Sequence, residues 1–189
     1  MTINNPAEYW NPLWQSGRRY RSLGPEERQL TGRFLGVAHG RPALDVGSGD
    51  GTLARYLHAD LGYRTTAIDC SSAALEIAQA EQTTSDGPVF RHLDIETGDI
   101  SALPNAGYAV VTCRLVFAFI KDKAAFLDRI RRFLPPGGTF WVVTPLAERL
   151  PEERKSIGIT PQEAELLTAP WSSARSEDLD VLRCYALRP

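Results

Sequence analysis

The residues with chemical potential come first in "DVGSGDG", where Gly47, Gly49 and Gly51 fall within five positions of one another, just after an apolar run that carries Asp45. Glycines take backbone conformations closed to other residues and let a ligand approach the main chain. A helix starting immediately after them would present free amides that favour negative charge. A second carboxylate, Asp69, closes the next apolar run, eighteen positions after Gly51. Where two neighbouring parallel strands end at one crevice, such an acid can accept two hydrogen bonds from a ribose diol. Glycines and acid together imply a nucleoside ligand. The dinucleotide pattern G-x-G-x-x-G is not met, because its last position holds Thr52, and the G-K-[ST] of a P-loop is missing. Asp50 suits a ligand bearing positive charge better than a pyrophosphate.

Those groups meet only if strands and helices alternate. "ALDVG", "RTTAID", "VFRHLD", "YAVVTCRL" and "TFWVVTP" are predicted strands, several of them apolar on both faces as in a covered parallel sheet. Helices are predicted over 52–61, 72–80 and 122–134. In the last, Phe126, Leu127, Ile130, Phe133 and Leu134 form one stripe, and Arg129, Arg131 and Arg132 fall off it as a solvated face. Pro135 ends that helix, and Gly137 or Gly138 turns the chain into the next strand. Before the first strand, Pro25 opens a helix with Leu30, Phe34, Leu35 and Val37 on its apolar side. Thr160 and Glu163 have capping-box spacing around Pro161. The last nineteen residues read as two antiparallel strands joined by a polar turn around 176–180. The alternation predicts a doubly wound α/β fold with right-handed crossovers.

Composition narrows the partners. At 189 residues, 43% apolar and 23% charged, the chain reads as one globular domain. A formal net charge of −2 gives no footprint for a polyanion, so nucleic acid and anionic membranes are disfavoured. Cys70, Cys113 and Cys184 are odd in number and widely spaced, which suits reduced thiols and neither a disulfide framework nor a metal site. The polar start "MTINNPAEYW" lacks a signal-peptide core, and no apolar run approaches the ~20 residues of a membrane span. The expectation is a cytoplasmic protein, monomeric or homodimeric.

Over residues 42–145 the sequence resembles the class I S-adenosylmethionine-dependent methyltransferases. "LDVGSGDG" is similar to their first motif, "RHLDIE" to the motif after strand three, and "LPPGGTFWV" to the turn before strand five. The resemblance implies a Rossmann-like seven-stranded sheet, mostly parallel, with an antiparallel C-terminal strand. It divides the chain into an N-terminal helical lid or cap, 1–41, and a methyltransferase domain, 42–189. S-adenosyl-L-methionine is the implied cofactor and S-adenosyl-L-homocysteine its product. Asp45, Gly47, Ser48 and Gly49 are expected at the methionine part. Asp69 is expected at the ribose, and Cys70, Asp94 and Ile95 at the adenine. Cys113 and Arg114 follow from the fourth-strand position.

Methyl transfer from a sulfonium needs alignment and exclusion of water more than a base. None of His39, His58 and His92 has a base-and-orienter context, and Phe117–Phe119 occupies the place after strand four where many family members carry a histidine. The catalytic residues stay unassigned. Acceptor-binding candidates are Tyr9, Trp10, Trp14, Arg18, Arg19, Tyr20 and Phe117, with Leu146 and Leu150 in the 145–169 connection. Aromatic faces suit a sulfonium and planar acceptors, and Arg18, Arg19 or Arg114 could pair with an acceptor's carboxylate or phosphate. The expected activity is methylation of an O or N atom of a small metabolite or natural-product intermediate. The alternatives are an RNA or protein methyltransferase, a non-catalytic protein retaining the fold, and a nicotinamide oxidoreductase.

Overall fold

In the computed structural model, which describes residues 5–103 and 107–189, the apolar runs pair side by side as β1 (Pro42–Val46), β2 (Arg64–Asp69), β3 (Val89–His92), β4 (Val110–Arg114) and β5 (Thr139–Pro145). The C-terminal hairpin adds β6 (Ser173–Leu179) and β7 (Leu182–Arg188). The order across the sheet is β3-β2-β1-β4-β5-β7-β6. β1 to β5 run parallel, β7 pairs antiparallel with β5, and β6 pairs antiparallel with β7. The sheet is the Rossmann-like, seven-stranded, mostly parallel one expected.

The hairpin turn lies later than expected. Residues 176–179 remain in β6, with Ser176 opposite Tyr185 and Asp178 opposite Arg183, and the chain reverses at Asp180, whose φ is 56°. β6 is the sheet's outer edge, so its side chains are mostly exposed and its polar sequence resembles a turn.

Among the described residues six helices accompany the strands: α1 (Pro6–Gln15), α2 (Pro25–Leu35), α3 (Thr52–Ala59), α4 (Ser72–Ala80), α5 (Lys123–Arg131) and α6 (Pro161–Thr168). Asp122 caps α5, accepting from Ala125 N at 2.9 Å. Past Arg131 the chain tightens into turns that keep Phe133 and Leu134 in the core. The capping box forms at α6, where Glu163 N donates to Thr160 Oγ1 (3.2 Å) and Thr160 N to Glu163 Oε2 (2.9 Å).

Strand alternation divides the core by sheet face. Leu44, Val46, Val111, Cys113, Phe140 and Val142 meet α5 and α6 through Phe126, Ile130 and Leu167. Ala43, Val110, Trp141 and Val143 meet α2 and α3 through Leu30, Leu35, Leu53 and Leu57. Each large side chain buried here contributes about 1.5–3 kcal/mol. α2 therefore packs into the helical layer of the sheet, fastened by Tyr56 Oη donating to Arg28 O (2.7 Å) and Tyr63 Oη to Leu35 O (2.9 Å). α1 lies elsewhere, with Trp10 and Trp14 against Ala73, Ala74 and Ile77 of α4. Between β1 and β4 the chain order reverses direction across the sheet. Open α/β sheets bind ligands at such a switch point, beyond the carboxyl ends of the strands. Among the described residues no helix is long and apolar enough to cross a membrane.

Candidate functional site

The loop after β1 clings to the end of β2. Gly47 N and Ser48 N both donate to Ile68 O, at 2.8 and 3.0 Å. Gly47, Gly49 and Gly51 all take positive φ (67°, 55° and 77°). At Gly47 the neighbourhood also demands glycine, because a Cβ would stand 2.4 Å from Val116 Cγ2. At Gly49 it would meet Trp14 Cζ2 at 3.0 Å, so the indole of α1 lies against the loop. Asp50 turns inward on its own helix start and accepts from Thr52 N (3.1 Å) and Thr52 Oγ1 (2.8 Å).

Two acids sit beneath this loop. Asp69 Oδ2 accepts from Gly49 N and Asp69 Oδ1 from Ser71 N, both at 2.8 Å. Each oxygen has a second acceptor position, one of which faces the Cys70 thiol. Burial pushes the Asp69 carboxyl above its ordinary pKa, and the N–H groups of Ser71 and Gly49 pull the other way. Asp45 Oδ1 accepts from Thr112 Oγ1 at 2.6 Å, a bond set by the β1–β4 register that places the two residues opposite each other. Its pKa is pushed up to about 7, chiefly by burial, with the Thr112 bond opposing. Asp45 Oδ2 and Ser48 Oγ are buried and, among the described residues, have no hydrogen-bond partner.

A cavity of about 740 Å³ opens over this loop, within the ~300–1,000 Å³ typical of small-molecule sites. Asp45, Gly47, Ser48, Gly49, Asp69 and Arg114 line one part of it; Tyr9, Trp10, Trp14, Arg18, Arg19 and Tyr20 line another. Cys70, Asp94 and Ile95 border a second, smaller cavity of about 50 Å³, beside Gly47 and Asp69. Gly47, Asp69, Val116 and Phe119 belong to both, so the two spaces adjoin. The Asp94 carboxylate shapes its own turn, accepting from Glu96 N (2.8 Å) and Thr97 Oγ1 (2.7 Å).

Three of the expected residues lie elsewhere. Cys113 and Phe117 are fully buried in the core and line neither cavity. Cys113 is on the face of β4 that meets α5, and the 3-10 turn at Phe117–Phe119 turns Phe117 inward while Phe119 reaches both cavities. Leu150 lines the large cavity, whereas Leu146 is buried in the core. His39, His58 and His92 line neither; His92 Nε2 lies 2.9 Å from Cys70 O. Among the described residues no cluster of His, Cys, Asp and Glu could hold a metal.

Other functional candidates were not legible in the sequence. Arg114 is held by Glu27 of α2, through Nε to Oε1 (2.6 Å) and Nη2 to Oε2 (2.9 Å). In the sequence Glu27 reads only as an acid suited to a helix start; the 87-residue separation conceals its partner. Asn11 fixes α1 to the start of α4, its Oδ1 accepting from Ser71 Oγ (2.8 Å) and Ala73 N (3.3 Å). The rings of Trp10 and Phe119 meet edge to face at 5.0 Å, and Trp14 packs on Tyr20 at 4.9 Å.

The arrangement joins a main-chain cradle and buried acids to a cavity roofed by aromatic rings. Residues 44–140, just over half of the chain, match the family model described as "Methyltransferase domain". A ubiquinone biosynthesis O-methyltransferase of Albidiferax ferrireducens is 30% identical over 146 residues, covering 77% of this chain and 56% of that protein. Among solved structures, a SAM-dependent methyltransferase from Anabaena variabilis superposes with a TM-score of 0.69 at 18% identity, over 100% of this chain and 99% of that one. The phosphoethanolamine N-methyltransferase 2 of Haemonchus contortus, solved with phosphomonomethylethanolamine and S-adenosylhomocysteine, gives a TM-score of 0.70 at 16% identity, over 95% of this chain and 56% of that one. The chain spans about half the length of the curated relatives it matches. By its family model and its sheet, the chain belongs to the class I S-adenosylmethionine-dependent methyltransferases.

Proposed function

We propose that this chain transfers a methyl group from S-adenosylmethionine to an O or N atom of a small molecule by in-line displacement. The observation that carries the reading is the Asp69–Gly49 clasp, which sets a buried carboxylate, with a second acceptor position on each oxygen, beside the glycine loop and at the junction of both cavities.

The residues present fit the donor. Asp69 would take the ribose hydroxyls. Asp45 Oδ2 and Ser48 Oγ, buried and without partners among the described residues, would meet the polar end of the methionine part. Cys70, Asp94 and Ile95 would flank the adenine in the smaller cavity. The bound donor supplies a methyl carbon already activated for displacement by its sulfonium. The chain's own work is to hold an acceptor in line and keep water out, and in well-oriented systems alignment alone accounts for ~7–11 kcal/mol of barrier reduction. Trp10, Trp14, Tyr20 and Phe119 present aromatic faces to the cavity, suited to a cationic sulfonium and to a planar acceptor. In this reading the cover of the site is α1 together with residues 16–24, and α2 belongs to the sheet layer.

Thermal unfolding with S-adenosylmethionine, S-adenosylhomocysteine and NAD in parallel tests the donor class. A ligand at a hundred times its Kd stabilises by about 2.7 kcal/mol, so both adenosyl compounds raise Tm and NAD leaves it unchanged. Stabilisation by NAD alone, or by none of the three, removes the reading. Methyl-labelled donor incubated with fractionated metabolites and, separately, with RNA and protein then distinguishes a small acceptor from a macromolecular one.

A further inference from the structure

The large cavity is electrically asymmetric. Its acids, Asp45, Asp50 and Asp69, all belong to the glycine loop and the strand ends beneath it. Its five arginines come from other segments: Arg18, Arg19 and Arg21 between α1 and α2, Arg114 at the end of β4, and Arg154 in the 3-10 turn Glu152–Ile157. Three of the five have a carboxylate within reach. Arg114 is paired with Glu27, Arg21 Nη1 lies 3.2 Å from Asp180 Oδ2, and Arg19 Nη2 lies 4.0 Å from Glu81 Oε1. Arg18 is hydrogen-bonded to the side chain of Tyr20.

Arg154 differs from all of these. Among the described residues its guanidinium has neither an ion pair nor a side-chain hydrogen bond. Of the acids nearby in the sequence and fold, Glu152 holds Lys155 at 2.6 Å and Asp178 holds Arg149 and Arg183. Arg154 is exposed at the cavity, whose lining from its own connection (Leu150, Ile157) and from the β6–β7 turn and the start of β7 (Val181, Leu182) is apolar. That turn is fixed against the connection by Leu146 N donating to Val181 O (3.1 Å) and Arg149 Nη1 to Asp180 O (3.3 Å), so the wall is held on two sides. A planar guanidinium with open donors matches a carboxylate or phosphate in two-pronged fashion, and the apolar wall beside it suits a hydrocarbon or aromatic body.

We propose that Arg154, set on the wall of Leu150, Ile157, Val181 and Leu182, is the specificity determinant for the methyl acceptor and receives a carboxylate or phosphate borne on a compact apolar body. Naming that ligand as the acceptor rests on the methyl-transfer reading; the anion site itself does not. The assignment differs from the one expected of Arg114, whose charge Glu27 already satisfies.

Isothermal titration of the full chain, with and without S-adenosylhomocysteine, tests it with two matched pairs of probes: benzoate against benzamide, and phenyl phosphate against phenol. At least one anion binds about tenfold or more tightly than its neutral partner, as a charge-assisted bond predicts. Preference for benzoate, for phenyl phosphate or for both identifies which anion is recognised. In Arg154→Gln the preference falls to within about threefold. In Arg132→Gln, a surface arginine outside the cavity, it persists. A preference that survives Arg154→Gln, or none in the wild-type chain at millimolar probe, overturns the proposal. If S-adenosylhomocysteine fails to bind while the Arg154-dependent preference remains, the donor reading falls and the anion site stands.

Discussion

Replacing Asp69 by Asn separates the structural duty of this carboxylate from its ligand-binding duty. In the native chain each oxygen accepts one main-chain N–H, from Gly49 and from Ser71. An asparagine has one carbonyl oxygen, so one of those buried donors would face an NH2 group. An unsatisfied buried donor costs about 1–3 kcal/mol. For a chain of this length each kcal/mol lowers Tm by roughly 2–4 °C, so the expected drop is about 2–12 °C. The lower part of that range is favoured, because the substitution also removes a carboxylate that burial disfavours. Binding suffers separately. Losing one charge-assisted bond of about 1.5–3 kcal/mol weakens S-adenosylhomocysteine roughly 10- to 150-fold. Calorimetric titration at 10 °C, far below the transition, reports the affinity, and a melting curve on the same sample reports the fold. If Tm falls and the affinity stays within about threefold of wild type, Asp69 merely staples the loop and the ribose assignment is wrong.

Three further outcomes follow. Gly47→Ala adds the strain of positive φ to a Cβ 2.4 Å from Val116 and should cost about 2–5 kcal/mol; Gly40→Ala, also at positive φ but with open space around it, should cost only about 1–2, and Val116→Ala should recover much of the difference in a double-mutant cycle read by denaturant unfolding. Asp45 has a folded pKa raised to about 7, so its contribution to stability is complete below its unfolded pKa of about 3.9 and is lost as pH rises through 7; unfolding curves should show that decline in wild type and not in Asp45→Asn, while affinity for S-adenosylmethionine, which carries an ammonium, should rise over the same interval only in wild type. Glu27→Gln leaves the largely buried Arg114 without its counter-charge and should destabilise the chain by about 3–5 kcal/mol in chemical denaturation, with Arg114→Met less costly in the Glu27→Gln background than in wild type.

Local patterning reveals much of the sheet and little of the cavity. β2 and β5 read to the residue because their Val, Ile, Thr and aromatic side chains are buried on both faces and bounded by turn residues. The glycine loop and Asp69 read because their chemistry is local to one turn and one strand end. The far half of β6 read as turn because an exposed edge strand needs no apolar alternation. Cys113 looked like a cavity residue from its place near the end of β4, and Phe117 from its place just after it, but whether a side chain enters the core or the crevice depends on a single residue of phase: strand alternation turns Cys113 to the core, and beyond the strand Leu115, at φ 59°, resets the phase for Phe117. Arg154 and the Glu27–Arg114 pair depend on contacts between distant segments, which no periodicity encodes.

The attachment of α1 has a kinetic consequence. The helix has ten residues and carries Pro12 in its interior, short of the ~12–15 residues at which even favourable sequences hold helical structure alone in water. Its shape is therefore borrowed from α4 through Trp10, Trp14 and the Asn11 cap. Asn11 grips Ser71, and Ser71 in turn donates to Asp69. Detachment would thus be a melting event and not a hinge swing, and it would loosen the clasp beneath at the same moment. Escape of any guest beneath α1 would then proceed at the pace of local unfolding.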